Sequence, residues 1–192
     1  MIFIIMNKKI KDEFIALNEG VAANLKNRKI RELSDNPKQL ETAIPILLNK
    51  SNVPIIYDVN LIIKGRNTKN LICGRYDIKE KIIYLNPSMS SLQTFKTLIH
   101  EKAHSILHNK KQSAYSRKEA EVQAESTAFV VCNYLNLDTS EYSFGYIASW
   151  SKNKELKELK ESLKIIANTS NEIIQWIEDS TNFKTRKYLY VN

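Results

Sequence analysis

Apolar residues recur every three or four positions in several stretches of the chain, a spacing that predicts amphipathic helices. The pattern covers residues 8–28, about 38–49 and about 118–135, and a short helix carrying Tyr146 and Trp150 is predicted after the sequence LDTSEY. A long C-terminal helix is predicted by one apolar stripe, formed by Leu156, Leu159, Leu163, Ile166, Ile173 and Ile177. We expect that stripe to pack on its own domain. A dimeric coiled coil is the weaker alternative, because Ser170 interrupts the seam.

Two segments between the helices are instead rich in β-branched and aromatic residues, which favour strands. They read VPIIYDV and LICGRYDIKEKIIYL. The second is predicted to be a hairpin that turns near Lys79 and Glu80. Together the patterns predict helices combined with a small sheet.

Length and composition narrow the organisation and setting of the chain. A chain of 192 residues suits one compact unit, which we divide into an N-terminal helical segment, 1–53, and a main domain with the C-terminal helix, 54–192. The opening MIFIIM is too short for a membrane span or a normal signal peptide. We therefore expect no membrane association. Cys73 and Cys132 form no CxxC pair, which fits a reducing, cytoplasmic setting. The composition leaves the oligomeric state open.

The net charge of +8 makes nucleic acid a possible partner, because a basic surface attracts phosphates whatever the fold. The lysines, however, are spread along the chain and many alternate with glutamates. Such mixing is more typical of a solvated surface than of a nucleic-acid patch.

All 3 histidines lie in the segment LIHEKAHSILH, on a helix that follows Pro87 and is predicted to begin with a capping box between Ser90 and Gln93. His100 and His104 are four residues apart, so they lie one turn apart on one helix face and can bind one metal ion. Glu101 lies beside them and completes HExxH, in which the glutamate takes a proton from water activated by the metal.

Chance occurrence of so short a motif is the alternative interpretation. The helix also carries an apolar stripe, formed by Leu92, Phe95, Ile99, Ala103 and Ile106, which predicts that it packs in the core. Because His100 and His104 flank that stripe, a metal site is favoured over chance. His108 is excluded as a third ligand, since it lies about 12 Å along the axis from His100. We expect His108 to line the rim of the cleft or to cap the helix end.

A catalytic zinc needs a third protein ligand, and with no histidine left it should be a carboxylate. On the helix over residues 118–135, Glu121 and Glu125 share a face with apolar residues, whereas Glu119 and Gln123 are predicted to point away from it. Unpaired buried carboxylates are costly and are normally paired or bound to metal. We assign Glu121 as the ligand and Glu125 as the acceptor of a hydrogen bond from a ligand histidine. The reverse assignment stays open, because both residues share one face.

The residues that would bind a substrate are predicted more loosely. Lys81, Ile82, Ile83 and Tyr84 precede the histidine helix, and a free strand edge there would pair with an extended peptide. The alternative is an ordinary core strand. Tyr142 or Tyr146 is placed to donate a hydrogen bond to an oxyanion, although most tyrosines only pack. His108 completes this predicted substrate-binding set.

These motifs, TLIHEKAHSILH followed by EAEVQAESTAFVVCNYLNLDTSEYSFGYIASWS, resemble the ImmA/IrrE-like zinc metallopeptidases, specifically the zincin domains related to ArdC-type antirestriction proteins of mobile elements. The resemblance covers about residues 54–180. It implies a small α+β zincin-like fold, with the HExxH helix, a glutamate-bearing helix and a short antiparallel or mixed sheet. It also implies Zn2+ at His100, His104 and Glu121, with Glu101 as the catalytic base.

The chain departs from the family pattern at Lys102, where an apolar residue is usual, and at Gln123, where a glutamate is usual. An ArdC-like DNA-binding region is not recognisable in residues 1–53. The leading hypothesis is a zinc-dependent metalloendopeptidase of a mobile genetic element that cleaves a protein such as a repressor. The alternative is a zinc-containing antirestriction or DNA-binding protein that acts by binding, and a third interpretation is a purely structural zinc domain.

Overall fold

The computed structural model describes residues 33, 35–68, 72–108, 116–139, 156–181 and 183. Within these ranges the chain forms five helices and a sheet of three strands, which confirms the predicted α+β class. The predicted helix over residues 8–28, the short helix carrying Tyr146, and Tyr142 lie outside the described residues. In chain order the elements are α1 (Lys38–Lys50), β1 (Ile55–Tyr57), α2 (Asn60–Thr68), β2 (Gly74–Asp77), β3 (Ile82–Leu85), α3 (Ser91–Leu107), α4 (Arg117–Tyr134) and α5 (Leu156–Ser180).

The sheet has the order β1-β3-β2, with β1 parallel and β2 antiparallel to β3. The predicted hairpin is confirmed, because β2 and β3 pair across a turn at residues 78–81. The predicted free edge at Lys81 to Tyr84 is wrong. Since β3 pairs on both sides, its main chain is not available to an added peptide strand, and the edges of this three-stranded sheet belong to β1 and β2.

Helix α3 begins at a side-chain cap, but the predicted reciprocal capping box is only half formed. Ser90 Oγ accepts a hydrogen bond from the backbone N–H of Gln93 at 3.1 Å. The Gln93 side chain, instead of returning to Ser90, accepts from the N–H of Leu33 at 3.1 Å and donates to Thr97 Oγ1 at 3.2 Å. The amide therefore connects α3 to the chain before α1, because burial requires it to find partners within the protein.

Helix α4 begins after Ser116, whose Oγ accepts from the backbone N–H of Glu119 at 3.2 Å. It packs against α3 on one side and α5 on the other. Burial therefore extends around much of its circumference, and the prediction that Gln123 points away from the interior is wrong: this side chain is 0% exposed. A single-stripe pattern underestimates burial in a helix that is covered on two faces.

Helix α5 packs on its own domain, as predicted, rather than presenting its stripe to solvent. Ile173 and Ile177 belong to one core cluster with Phe95 of α3 and Val131 of α4. Residues of α1 join the same cluster, including Leu40, Ile44 and Leu47. The core thus includes residues on both sides of the predicted boundary at 53, while the division into two segments stays a prediction.

Lys102, one of the departures from the family pattern, is buried and connects three elements. Its Nζ donates to Asn52 Oδ1 beyond the end of α1 and lies 4.9 Å from the centre of the Trp176 ring on α5.

Among the helices of the described residues, none combines the length and hydropathy needed to cross a bilayer.

Candidate metal centre

Three possible metal donors converge between α3 and α4. His100, His104 and Glu121 each offer one ligand atom, and these atoms all lie within 4.8 Å of one another. The two histidine Nε2 atoms are 3.1 Å apart, and Glu121 Oε2 lies 3.5 Å from Nε2 of His100 and 3.7 Å from Nε2 of His104. A tetrahedral zinc with bonds of about 2.0–2.1 Å separates its ligand atoms by roughly 3.3–3.4 Å. The donor set and its spacing therefore fit such an ion.

The electrostatics of this cluster favour a positive charge at its centre. Burial by itself lowers the pKa of His100, but hydrogen bonds to Glu121 and Glu125 outweigh it and raise the pKa to about 9. The pKa of Glu121 is held well below its usual range by hydrogen bonds from His100 and His104. An arrangement that stabilises a proton's charge between two imidazoles and a carboxylate also stabilises that of a divalent cation.

The ring of His100 is held from behind by α4. Its Nδ1 lies 3.2 Å from Glu125 Oε2, and the same oxygen accepts a hydrogen bond from Lys96 Nζ at 2.5 Å. Burial raises the pKa of Glu125, but the positive charge of Lys96 and the contact with His100 lower it overall. Glu125 is thus an ionised acceptor that orients the Nε2 of His100 toward the other donors.

The ring of His104 is held by a different set of groups. Its Nδ1 lies 3.0 Å from Nδ1 of His108, whose Nε2 lies 3.1 Å from Gln123 Oε1. His108 occupies the C-cap position of α3 and is 5% exposed, so its ring lies behind His104 rather than at a solvent-exposed rim. Burial lowers the pKa of His108.

Glu101 lies between the cluster and strand β2. Burial raises its pKa, while the nearby His100 and His104 and a hydrogen bond from the backbone N–H of Tyr76 oppose that rise. Strand β2 approaches closely because residue 74 is glycine. A Cβ there would lie 2.7 Å from Thr97 Cγ2, 2.9 Å from the carbonyl oxygen of Tyr84 and 3.4 Å from Glu101 Cγ.

Other predicted site residues lie away from these donors. Ile83 is fully buried in the central strand, and Lys81 lies in the β2–β3 turn with φ 59°. The Tyr84 hydroxyl donates to Glu80 Oε2 at 2.5 Å, and its ring lies under the Arg75 guanidinium at 4.1 Å. None of these contacts involves the donor cluster.

Sequence reasoning did not find Lys96 or assign a role to Gln123. A signal for Lys96 was present, because residues 96, 100, 104 and 108 recur at four-residue steps and so form one row along α3. Gln123 had no comparable signal, since its partner depends on how α4 packs against α3. Gly74 likewise becomes notable only when the distance between β2 and α3 is known.

Comparison of the sequence with known protein families identifies one that contains this chain. Residues 58–168 match the IrrE N-terminal-like domain, Peptidase_M78. The chain belongs to this family. The Peptidase_M78 match begins just after β1 and covers strands β2 and β3, both helices of the donor cluster and part of α5. It confirms the predicted ImmA/IrrE-like membership and implies a metallopeptidase domain.

An uncharacterized protein of Bacillus anthracis is 32% identical to the chain over 151 residues. The aligned region covers 75% of this chain and 25% of that relative, so the chain spans about a quarter of the relative's length. No solved structure matches the chain.

Proposed function

We propose that this protein is a zinc-dependent metalloendopeptidase in which His100, His104 and Glu121 hold the metal and Glu101 is the catalytic base. The proposal rests chiefly on one observation: Nε2 of both histidines and Oε2 of Glu121 lie 3.1–3.7 Å apart, with HExxH supplying a carboxylate beside them. Membership of a peptidase family supports the same reaction class.

Zinc is the metal proposed because two imidazoles and one carboxylate form a donor set that suits it and leaves a fourth position open. Bound zinc supplies a Lewis acid that makes water a nucleophile at neutral pH. An open position is what distinguishes this proposal from a purely structural zinc domain, in which four protein ligands complete the coordination.

Glu101 would accept a proton from the attacking water and deliver it to the leaving amine as the peptide bond breaks. Burial raises its pKa above the usual range of a carboxyl group, which is the direction expected for a group that both accepts and donates a proton. The Tyr76 N–H and the close approach of β2 at Gly74 hold this carboxylate at the cluster. His100, His104 and Glu121 would orient the reaction by fixing the metal position.

The proposed substrate is a cytoplasmic protein, such as a repressor of a mobile genetic element. Cys73 and Cys132 are not joined by a disulfide, which supports a reducing setting.

The test compares wild-type protein with Glu101→Gln, a change that keeps the shape of the side chain and removes the base. Glu41→Gln on the exposed side of α1 is the matched control. We expect Glu101→Gln to retain zinc, measured by metal analysis of the purified protein, and to lose the new protein N-termini that the wild type and the control produce in host cells.

Two outcomes would contradict the proposal. Identical sets of new N-termini from Glu101→Gln and wild type would show that Glu101 is not the catalytic base. A biological effect that persists in Glu101→Gln without any cleavage would favour a protein that acts by binding. In that case the nucleic-acid alternative is tested by the salt dependence of binding to single and double strands, which is steep when phosphate contacts dominate.

A further inference from the structure

Polar side chains lie on both sides of the donor cluster along the contact between α3 and α4, one set at each of the two ligand histidines. At one end, His100 meets the ionised pair of Glu125 and Lys96. At the other end, Nδ1 of His104 lies 3.0 Å from Nδ1 of His108, and Nε2 of His108 lies 3.1 Å from Oε1 of Gln123. Nδ1 of His100 therefore faces an ionised carboxylate, whereas Nδ1 of His104 faces the ring of His108.

Hydrogen bonds along this second end must all run in one direction when His104 binds a metal. A metal on Nε2 of His104 places the ring proton on Nδ1, so Nδ1–H donates to Nδ1 of His108. His108 then carries its own proton on Nε2 and donates it to Oε1 of Gln123. The amide oxygen faces His108 in the structure, which is the orientation that this direction requires.

The opposite direction is incompatible with metal binding. If the amide NH2 of Gln123 faced His108, Nε2 of His108 would be the acceptor and its proton would lie on Nδ1. That proton would face Nδ1 of His104, which would have to accept it and carry its own proton on Nε2. A protonated Nε2 has no lone pair for a metal ion.

We propose that His108 and Gln123 are positioning residues that select the metal-binding tautomer of His104. This inference rests on the proposed metal site and adds to it a specific role for two residues that do not touch the metal. Gln123 acts through His108, and His108 acts through His104.

Burial makes the arrangement selective. Gln123 is 0% exposed, so bulk water does not compete with His108 for its amide oxygen. Groups that hold the second nitrogen of a ligand histidine typically change metal affinity by roughly 10- to 100-fold when removed.

The direct test is nitrogen-15 NMR of the wild-type protein loaded with zinc. The chain contains 3 histidines, which makes assignment of each ring tractable. We expect His104 to carry its proton on Nδ1 and His108 to carry its proton on Nε2. Detection of His108 with its proton on Nδ1, or with both nitrogens protonated, overturns the proposal without requiring any variant to fold.

Variants provide a second test through zinc affinity, measured by competition with a chromophoric chelator. Gln123→Met preserves side-chain length and removes the strong acceptor, and His108→Phe removes both ring nitrogens. We expect each to weaken zinc binding by roughly 10- to 100-fold. Because Gln123 acts through His108, adding Gln123→Met to His108→Phe should produce little further loss; full additivity of the two losses would indicate independent packing effects and overturn the proposal.

The two proposals fail in different ways. If the wild-type protein binds no zinc, both the proposed function and the inferred role of His108 and Gln123 are wrong. If the wild type binds zinc and depends on Glu101 for cleavage, but His108 shows the other tautomer, only the inferred role is wrong.

Discussion

Lys96 of α3 and Glu125 of α4 form an ion pair of 2.5 Å in which each residue is 2% exposed. The pair lies one helical turn before His100, and the carboxylate also contacts that ring. A pair so deeply buried adds little net stability, since desolvation offsets much of the attraction, but removal of one partner leaves a buried charge. The pair therefore links the stability of the α3–α4 contact to the orientation of His100.

Lys96→Met should destabilise the protein by up to about 3–5 kcal/mol, because it removes the cation that forms the 2.5 Å pair with the buried Glu125 carboxylate, which also contacts the His100 ring. Urea unfolding of the metal-free protein measures this change. Lys118→Met, at an exposed position of α4, is the matched control and should change stability by less than about 0.5 kcal/mol. Equal stability of Lys96→Met and the control would show that the ion pair is not buried as described.

Glu121→Ala and Glu125→Ala should have opposite profiles. Glu121→Ala removes a proposed ligand and should therefore abolish most zinc affinity. Because the Glu121 side chain is 42% exposed, the same change should alter the stability of the metal-free protein little. Glu125→Ala removes the carboxylate that pairs with the buried Lys96, so it should lower the free energy of unfolding by about 3–5 kcal/mol, with a smaller loss of zinc affinity. Chelator competition and urea unfolding measure the two quantities; a greater loss of zinc affinity in Glu125→Ala would reverse the ligand assignment.

Zinc should stabilise the wild-type protein against unfolding by about 2.7 kcal/mol at a free concentration 100 times the dissociation constant, because it binds only the folded state. Thermal unfolding with and without a chelator measures the effect. Glu121→Ala should show no stabilisation at the same zinc concentration. A similar rise in melting temperature for both proteins would place the bound zinc elsewhere in the chain.

Gly74→Ala should destabilise the protein by about 1–3 kcal/mol, because the added Cβ overlaps Thr97 Cγ2 and the carbonyl oxygen of Tyr84. Relief of the overlap moves β2 away from Glu101, so proteolysis should fall while zinc affinity is retained. Thr97→Ser removes the methyl group and should recover part of the stability in the Gly74→Ala background. Wild-type stability and activity in Gly74→Ala would contradict the close approach of β2 to α3.

Cys132 should resist alkylation in the folded protein, since burial raises the pKa of its thiol to about 12 and the thiolate is the reactive form. Cys73 is only partly buried and should react faster. Mass spectrometry after brief iodoacetamide treatment at pH 8 identifies the modified residue, and treatment in guanidinium should modify both. Faster reaction at Cys132 in the folded protein would contradict the packing of α4.

The features that the sequence by itself determined are those set by neighbours along the chain. The four-residue spacing of His100 and His104 places them on one helix face with Glu101 beside them, and apolar periodicity predicted α1, α3, α4 and α5 close to their observed limits. The β2–β3 hairpin was also predictable, because a short turn joins its strands. Helix geometry and short turns depend on local residues alone, so they can be read without knowledge of the packing.

Only the tertiary structure decided which residues of different helices and strands come into contact. The packing of α4 against α3 brings Glu121 to the two Nε2 atoms and Glu125 to the opposite side of the His100 ring. The position of β3 at the centre of the sheet and the burial of Gln123 were likewise not evident from periodicity. Glu121 and Glu125 share one helix face, so their separate positions depend on the rotation and depth of α4 against α3, which the spacing of residues along one helix does not determine.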